Sequence, residues 1–137
     1  MGVALLLRHA SAGKRFDWSG EDALRPLDGR GREQAATLPR SLPSVPVRRI
    51  VSSPAVRCVQ TVEPLARALG VRVERHADLA EGAPRDASLA LVLELGPGAV
   101  SCTHGDVLHA LTGHAGAKGG GFVVELRGDG LAVVQDF

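Results

Sequence analysis

Short apolar runs alternate with helix-like stretches along this chain, and no other feature restricts its fold as much. Residues 3–7, 47–51, 71–74 and 99–102 read as strands, the first without a polar break, as in a strand buried on both faces. Helical patterns fill about residues 31–40, 54–69 and 86–95, and a fourth opens at Thr103-His104 and runs through Leu111. The order is β-α-β-α-β-α-β-α followed by a hairpin. It predicts a three-layer α/β/α sandwich, with a mostly parallel sheet, helices on both faces and a C-terminal hairpin. At 137 residues, positions 1–137 are expected to form one domain.

Local signals set the boundaries. Asp28 is a good N-cap for the first helix, with Ala35, Ala36 and Leu38 turned to the core and Pro39 ending it. Ser53 reads as the N-cap of the second helix, Pro54 as its first residue and Gly70 as its C-cap. The glycine-rich stretch 113–121 is expected to be mobile, and Asp129-Gly130 to turn the final hairpin.

Chemistry collects where the strands end. Arg8-His9, Arg57, Glu81 and His104 each follow a predicted strand on its carboxyl side. In a parallel sheet all five converge on one edge, where open α/β folds bind ligands. Two arginines and two histidines around one point make a phosphate pocket, because guanidinium forks bind phosphoryl oxygens bidentately and stay charged. Arg57 falls in a helix's first turn, where free N–H groups already favour an anion. A histidine there can attack phosphorus, and the second can stabilise the transferring group. A nearby carboxylic acid can protonate the leaving group. Lys14 and Arg15 fall in the loop after His9, either on the rim of the anion site or as plain solvated charge.

Other classes are disfavoured. The net charge is +1, with acids and bases interspersed, which argues against nucleic-acid and membrane-surface binding. No apolar run nears the ~20 residues needed to span a bilayer, and no basic leader precedes the first strand, so a cytoplasmic location is expected. Cys58 and Cys102 read as buried free thiols. His104, His109 and His114 stand five apart, which does not place them on one helix face, so no metal site is expected. His109 reads as support for the pocket, and His76 and His114 as surface residues. Thr61 and Ser53 read as caps or structural hydroxyls.

The ordered motifs resemble those of the histidine phosphatases, the superfamily that includes the phosphoglycerate mutases and the small SixA-type phosphohistidine phosphatases. Leu6-Leu7-Arg8-His9-Ala10 resembles the family's opening motif. Pro26-Leu27-Asp28, with Gly31, Gln34 and Ala35, resembles its next segment, where Thr is commoner than Asp28. Ser52-Ser53-Pro54-Ala55-Val56-Arg57-Cys58-Val59-Gln60-Thr61 and Thr103-His104-Gly105 resemble two further blocks. The resemblance implies a phosphoglycerate mutase-like fold with His9 as nucleophile, and Arg8, Arg57, His9 and His104 around the phosphoryl group. It implies Glu81 as proton donor, with Asp78 the neighbouring alternative. It implies no cofactor and no metal.

The chain is short for the family and lacks the mutases' long insertions, so a shallow, open pocket is expected. The implied substrate is accessible: a protein phosphohistidine, a small phosphate ester or a nucleotide. Similarity to histidine phosphatase domains fused to Nudix hydrolases favours the last. The alternatives are a phosphoglycerate mutase and a phosphate-binding module without catalysis. The residues leave the oligomeric state open.

Overall fold

The computed structural model describes residues 2–137. Six strands form one sheet: β1 (Val3–Arg8), β2 (Arg49–Ser52), β3 (Val73–Arg75), β4 (Ala99–Thr103), β5 (Gly121–Arg127) and β6 (Gly130–Asp136). Their order across the sheet is β3-β2-β4-β1-β5-β6. The first four in that order run parallel, while β5 is antiparallel to β1 and β6 to β5. The helices are α1 (Gly29–Ser41), α2 (Val56–Leu69), α3 (Arg85–Leu95) and α4 (Gly105–Thr112). Among the described residues no helix is long and apolar enough to cross a membrane.

The unbroken apolar run at the start is explained by its position. β1 lies inside the sheet, between β4 and β5, and both its faces are covered. Leu5 and Leu7 pack with Leu38 of α1 and with Cys58, Val62 and Leu65 of α2. Ala4 and Leu6 face the other way, onto Val92 of α3 and Val107, Leu108 and Leu111 of α4. Each fully buried leucine side chain contributes roughly 1.5–3 kcal/mol. β1 is therefore firmly seated, and so is whatever its carboxyl end carries.

Several boundaries differ from expectation. α1 continues past Pro39 to Ser41. A proline this close to a helix end removes little, and the Leu42 N–H still closes on the Leu38 carbonyl at 3.0 Å. Ala36 is exposed, while Ala35 and Leu38 are buried as expected. α2 starts at Val56, with Ala55 in the capping position and no side-chain cap, so Ser53 and Pro54 lie ahead of the helix. The hairpin turns on Gly128-Asp129, one residue earlier than expected, since Arg127 pairs with Gly130. Gly128 takes φ +56°, and among the described residues no non-glycine has positive φ. That is the pattern of a turn with glycine at its first central position, whose twist suits flanking strands.

The glycine-rich segment is anchored rather than mobile. Its Gly120 carbonyl accepts from the Arg8 N–H (2.8 Å), and the Gly119 N–H reaches the Arg8 and His9 carbonyls (3.2 and 3.1 Å). Both ends of these bonds lie beside the sheet edge that carries the polar side chains.

Candidate active site

The parallel register brings the strand ends level. Arg8 sits opposite Thr103, and Ser52 opposite Cys102. The His9 N–H then donates to the Thr103 carbonyl (3.1 Å), and the Ser53 N–H to that of Cys102 (2.9 Å). His9, Arg57 and His104 come together as sequence reasoning expected, and all three are buried, at 7%, 1% and 2% exposure. The His9 and His104 rings meet edge to face, with centroids 5.4 Å apart.

His9 is fixed in one tautomer. Its Nδ1 lies 2.8 Å from the carbonyl of Ala10, which can only accept, so Nδ1 carries the hydrogen and Nε2 keeps its lone pair. Thr61 holds the turn that makes this bond possible. Its hydroxyl accepts from the Ala10 N–H (2.9 Å) and donates to the Arg57 carbonyl (2.7 Å), tying the end of β1 to α2. Burial pulls the His9 ring down to about 3. The Ala10 hydrogen bond opposes that shift, and the charges of His104, Arg57 and Arg8 reinforce it. His9 is therefore a neutral imidazole at any ordinary pH.

The Ser53 hydroxyl and the Asp22 carboxylate, the second of which the sequence did not single out, orient the rest. The Ser53 hydroxyl lies 2.9 Å from His104 Nε2 and accepts from the Ala55 N–H at 3.2 Å. It serves the histidine first and does not cap the helix. Asp22 grips Arg57: Nη1 donates to its backbone carbonyl (2.8 Å) and Nη2 to Oδ2 (3.0 Å). Arg25 Nε and Arg15 Nε hold the other oxygen, at 3.0 and 3.3 Å. Partial burial pushes the Asp22 carboxyl up, but the Arg25 hydrogen bond and the charges of Arg57, Arg25 and Arg15 outweigh it. The carboxyl is held below the usual carboxylate range.

Arg8 lies across α4's first residue. A Cβ on Gly105 would stand 3.0 Å from its Cζ, so the glycine of Thr103-His104-Gly105 leaves the space that guanidinium occupies. Arg8 Nη1 donates to the Gly116 carbonyl (2.8 Å). Arg8 Nε and Arg57 Nε are buried and meet no partner among the described residues. Buried donors in native proteins are nearly always satisfied, and each orphan costs about 1–3 kcal/mol. Two orphaned guanidinium N–H groups beside one neutral imidazole mark a place for an anion.

Glu81 lines the same cleft as Arg8, His9 and His104. Its loop is pinned from below by the Thr103 hydroxyl on the Leu79 carbonyl (2.6 Å), and from α4 by Asp106 accepting the Gly82 N–H (2.8 Å). Both Glu81 oxygens are taken by Arg15 Nη2, at 2.7 and 3.0 Å, and Arg57 Nη2 is 3.9 Å away. Asp78 is not among the cleft-lining residues and faces the His76 ring at 3.8 Å. His109 and Lys14 do line the cleft, while His76 and His114 lie exposed elsewhere. The cysteines are free and buried, with Cys58 Sγ 3.5 Å from His104 Nε2. The cleft measures about 590 Å³ and is open to solvent.

A six-stranded α/β sandwich of this topology is phosphoglycerate mutase-like. A model of the histidine phosphatase superfamily (branch 1) matches residues 4–87, and the chain belongs to that superfamily. An 8-oxo-(d)GTP phosphatase of Mycolicibacterium smegmatis (strain ATCC 700084 / mc(2)155) is 38% identical over 115 residues. That match covers 80% of this chain and 36% of the relative, so the chain spans about a third of the curated relative's length. The structure of the protein histidine phosphatase SixA complexed with tungstate superposes with TM-score 0.81 at 19% identity, covering 98% of this chain and 95% of that one. A mycobacterial glucosyl-3-phosphoglycerate phosphatase in complex with VO3 superposes with TM-score 0.77 at 16% identity, covering 98% of each chain. At these identities the two structures speak for the fold.

Proposed function

We propose that residues 1–137 act as one phosphatase domain, cytoplasmic and independent of metal ions, working through a phosphohistidine on His9. The observation that carries this reading is the pair of orphaned, buried guanidinium N–H groups of Arg8 and Arg57 beside an imidazole held neutral. The phosphoryl oxygens supply the missing acceptors. His9 Nε2 attacks phosphorus and a P–N bond forms as the bond to the leaving group breaks. Arg8, Arg57 and His104 hold the three oxygens whose charge is spread in the transition state. Water then attacks phosphorus, the P–N bond breaks and phosphate departs. No step calls for a Lewis acid.

Glu81 is the proposed proton donor, since it lines the cleft with His9, whereas Asp78 faces the His76 ring. Arg15 covers both oxygens of Glu81, so the pair must open as substrate enters. The substrate class follows two leads. SixA, by its name, acts on protein histidine phosphate, and the mycobacterial relative acts on a nucleotide.

With chelator present, wild type quenched during turnover of a ³²P-labelled phosphate ester should carry acid-labile, alkali-stable label on His9. Turnover without label, or turnover abolished by chelator, would sink the mechanism. Glu81→Gln should lose roughly 10²-fold or more in kcat/KM on an alkyl phosphate, and under tenfold on p-nitrophenyl phosphate, whose leaving group needs no proton. Equal losses on the two esters would remove Glu81 from the role, and Asp78→Asn tested alongside would then show whether its neighbour takes it.

A further inference from the structure

The cleft is larger than a phosphoryl group needs. At about 590 Å³ it falls among clefts that hold whole small molecules, roughly 300–1,000 Å³. Its cations divide into three sets. Arg8 serves the phosphoryl site. Arg15 and Arg25 are engaged within the protein, the first by Glu81 and Asp22, the second by Asp22 and the Ala12 carbonyl. Lys14 and Lys118 also line the cleft, and among the described residues neither forms an ion pair.

Phe16 is the third unexplained feature. It lines the same cleft with 82% of its surface exposed, the most exposed large apolar side chain described. It lies in a one-turn 3₁₀ segment, Arg15–Asp17, that buries none of its residues, so packing does not account for the ring. The Lys14 ammonium stands 5.7 Å from the ring centroid, which places a cation beside an aromatic surface.

We propose that Lys14, Lys118 and Phe16 form a distal subsite that selects nucleoside diphosphates, the terminal phosphoryl group lying on His9. Lys14 and Lys118 take the inner phosphate, which leaves the Arg8–Arg57 pocket carrying its own charge. Phe16 offers the base a flat apolar surface to stack on, and such stacking tolerates any base. A phosphohistidine on a protein surface supplies no second phosphate, and its one ring is bonded directly to the phosphoryl group rather than set beyond a second phosphate. The inference rests on the phosphatase reading for its orientation, but it concerns binding, which is measured apart from turnover.

The test compares GDP with acetyl phosphate, which has one phosphoryl group and no ring. Wild type should prefer GDP in kcat/KM. Lys118→Ala and Phe16→Ala should each lower kcat/KM on GDP about tenfold, through KM, and leave acetyl phosphate within about twofold. Both side chains are exposed, so neither change threatens the fold. GDP binding to His9→Ala, followed by calorimetry, should weaken about tenfold when Lys118→Ala is added. Unchanged GDP binding and turnover in the variants would overturn the subsite, as would equal losses on both substrates. A preference for a phosphohistidine peptide over GDP would overturn it in favour of a protein substrate. If wild type turns over neither small substrate, the phosphatase reading fails, while the calorimetry still decides the subsite.

Discussion

His9→Ala is expected to abolish phosphatase turnover, by roughly four orders of magnitude or more in kcat, and to leave the protein folded. The size follows from the role. Removing a side chain that only binds phosphate would raise KM or trim kcat by a modest factor, because two guanidinium groups remain. Removing the atom that becomes bonded to phosphorus removes the route itself. Stopped-flow and steady-state assays on p-nitrophenyl phosphate check the loss, and the absence of ³²P label checks its cause. A variant that turns over within about tenfold of wild type would end the phosphohistidine mechanism.

The same substitution has a second readout. With the folded-state value near 3 and an ordinary value of 6.5, the unfolded chain binds a proton at His9 between those pH values and the folded chain does not. The shift is downward on a base, so its cost is absent above about 6.5 and grows as pH falls toward 3. His9→Ala removes that penalty. Its urea midpoint should therefore fall less steeply with acid than that of wild type. The neutral imidazole also means that His9 adds no acidic limb to the kcat/KM profile of wild type above about pH 4.

Much of this site was legible because parallel strands leave their carboxyl ends level. Once residues 3–7, 47–51 and 99–102 read as strands, Arg8-His9, Arg57 and His104 had to share an edge. The residues that hold them were not legible, for a physical reason in each case. Asp22 opens a one-turn 3₁₀ segment, Asp22–Leu24, and reaches Arg57 across 35 positions, a contact without a sequence period. Ser53 ahead of Pro54 is a good helix cap by local rules. Its hydroxyl instead goes to His104, 51 residues away, where it gives a buried imidazole its partner. The glycine run looked mobile by composition, yet its backbone closes over the Arg8 and His9 carbonyls. Local signals misread it because the bonds it makes are long-range and involve no side chain of its own.

Arg57→Lys is the second large effect, because the guanidinium does three things that an ammonium cannot do at once. Its Nη1 and Nη2 hold the carbonyl and carboxylate of Asp22, Nη2 also stands 3.4 Å from His104 Nδ1, and Nε is left for the ligand. A lysine ends in one charged point, so it can keep Asp22 or meet the phosphoryl group, not both in fixed geometry. The charge is conserved, so simple Coulomb attraction predicts a small loss, and the fork predicts a large one. The expected fall is about 10²–10³ in kcat, the scale for removing one oriented donor from a transition-state site. KM should change much less, since Arg8 and the helix N-terminus still attract the anion. Asp22 keeps Arg25 and Arg15, so its carboxylate is not stranded and the fold should survive, which circular dichroism and a denaturation midpoint will show. If Arg57→Lys retains kcat within about threefold, charge alone is at work and the orphaned Nε is not the phosphoryl contact. If kcat falls while the midpoint holds, the fork on α2 is what carries the transition state.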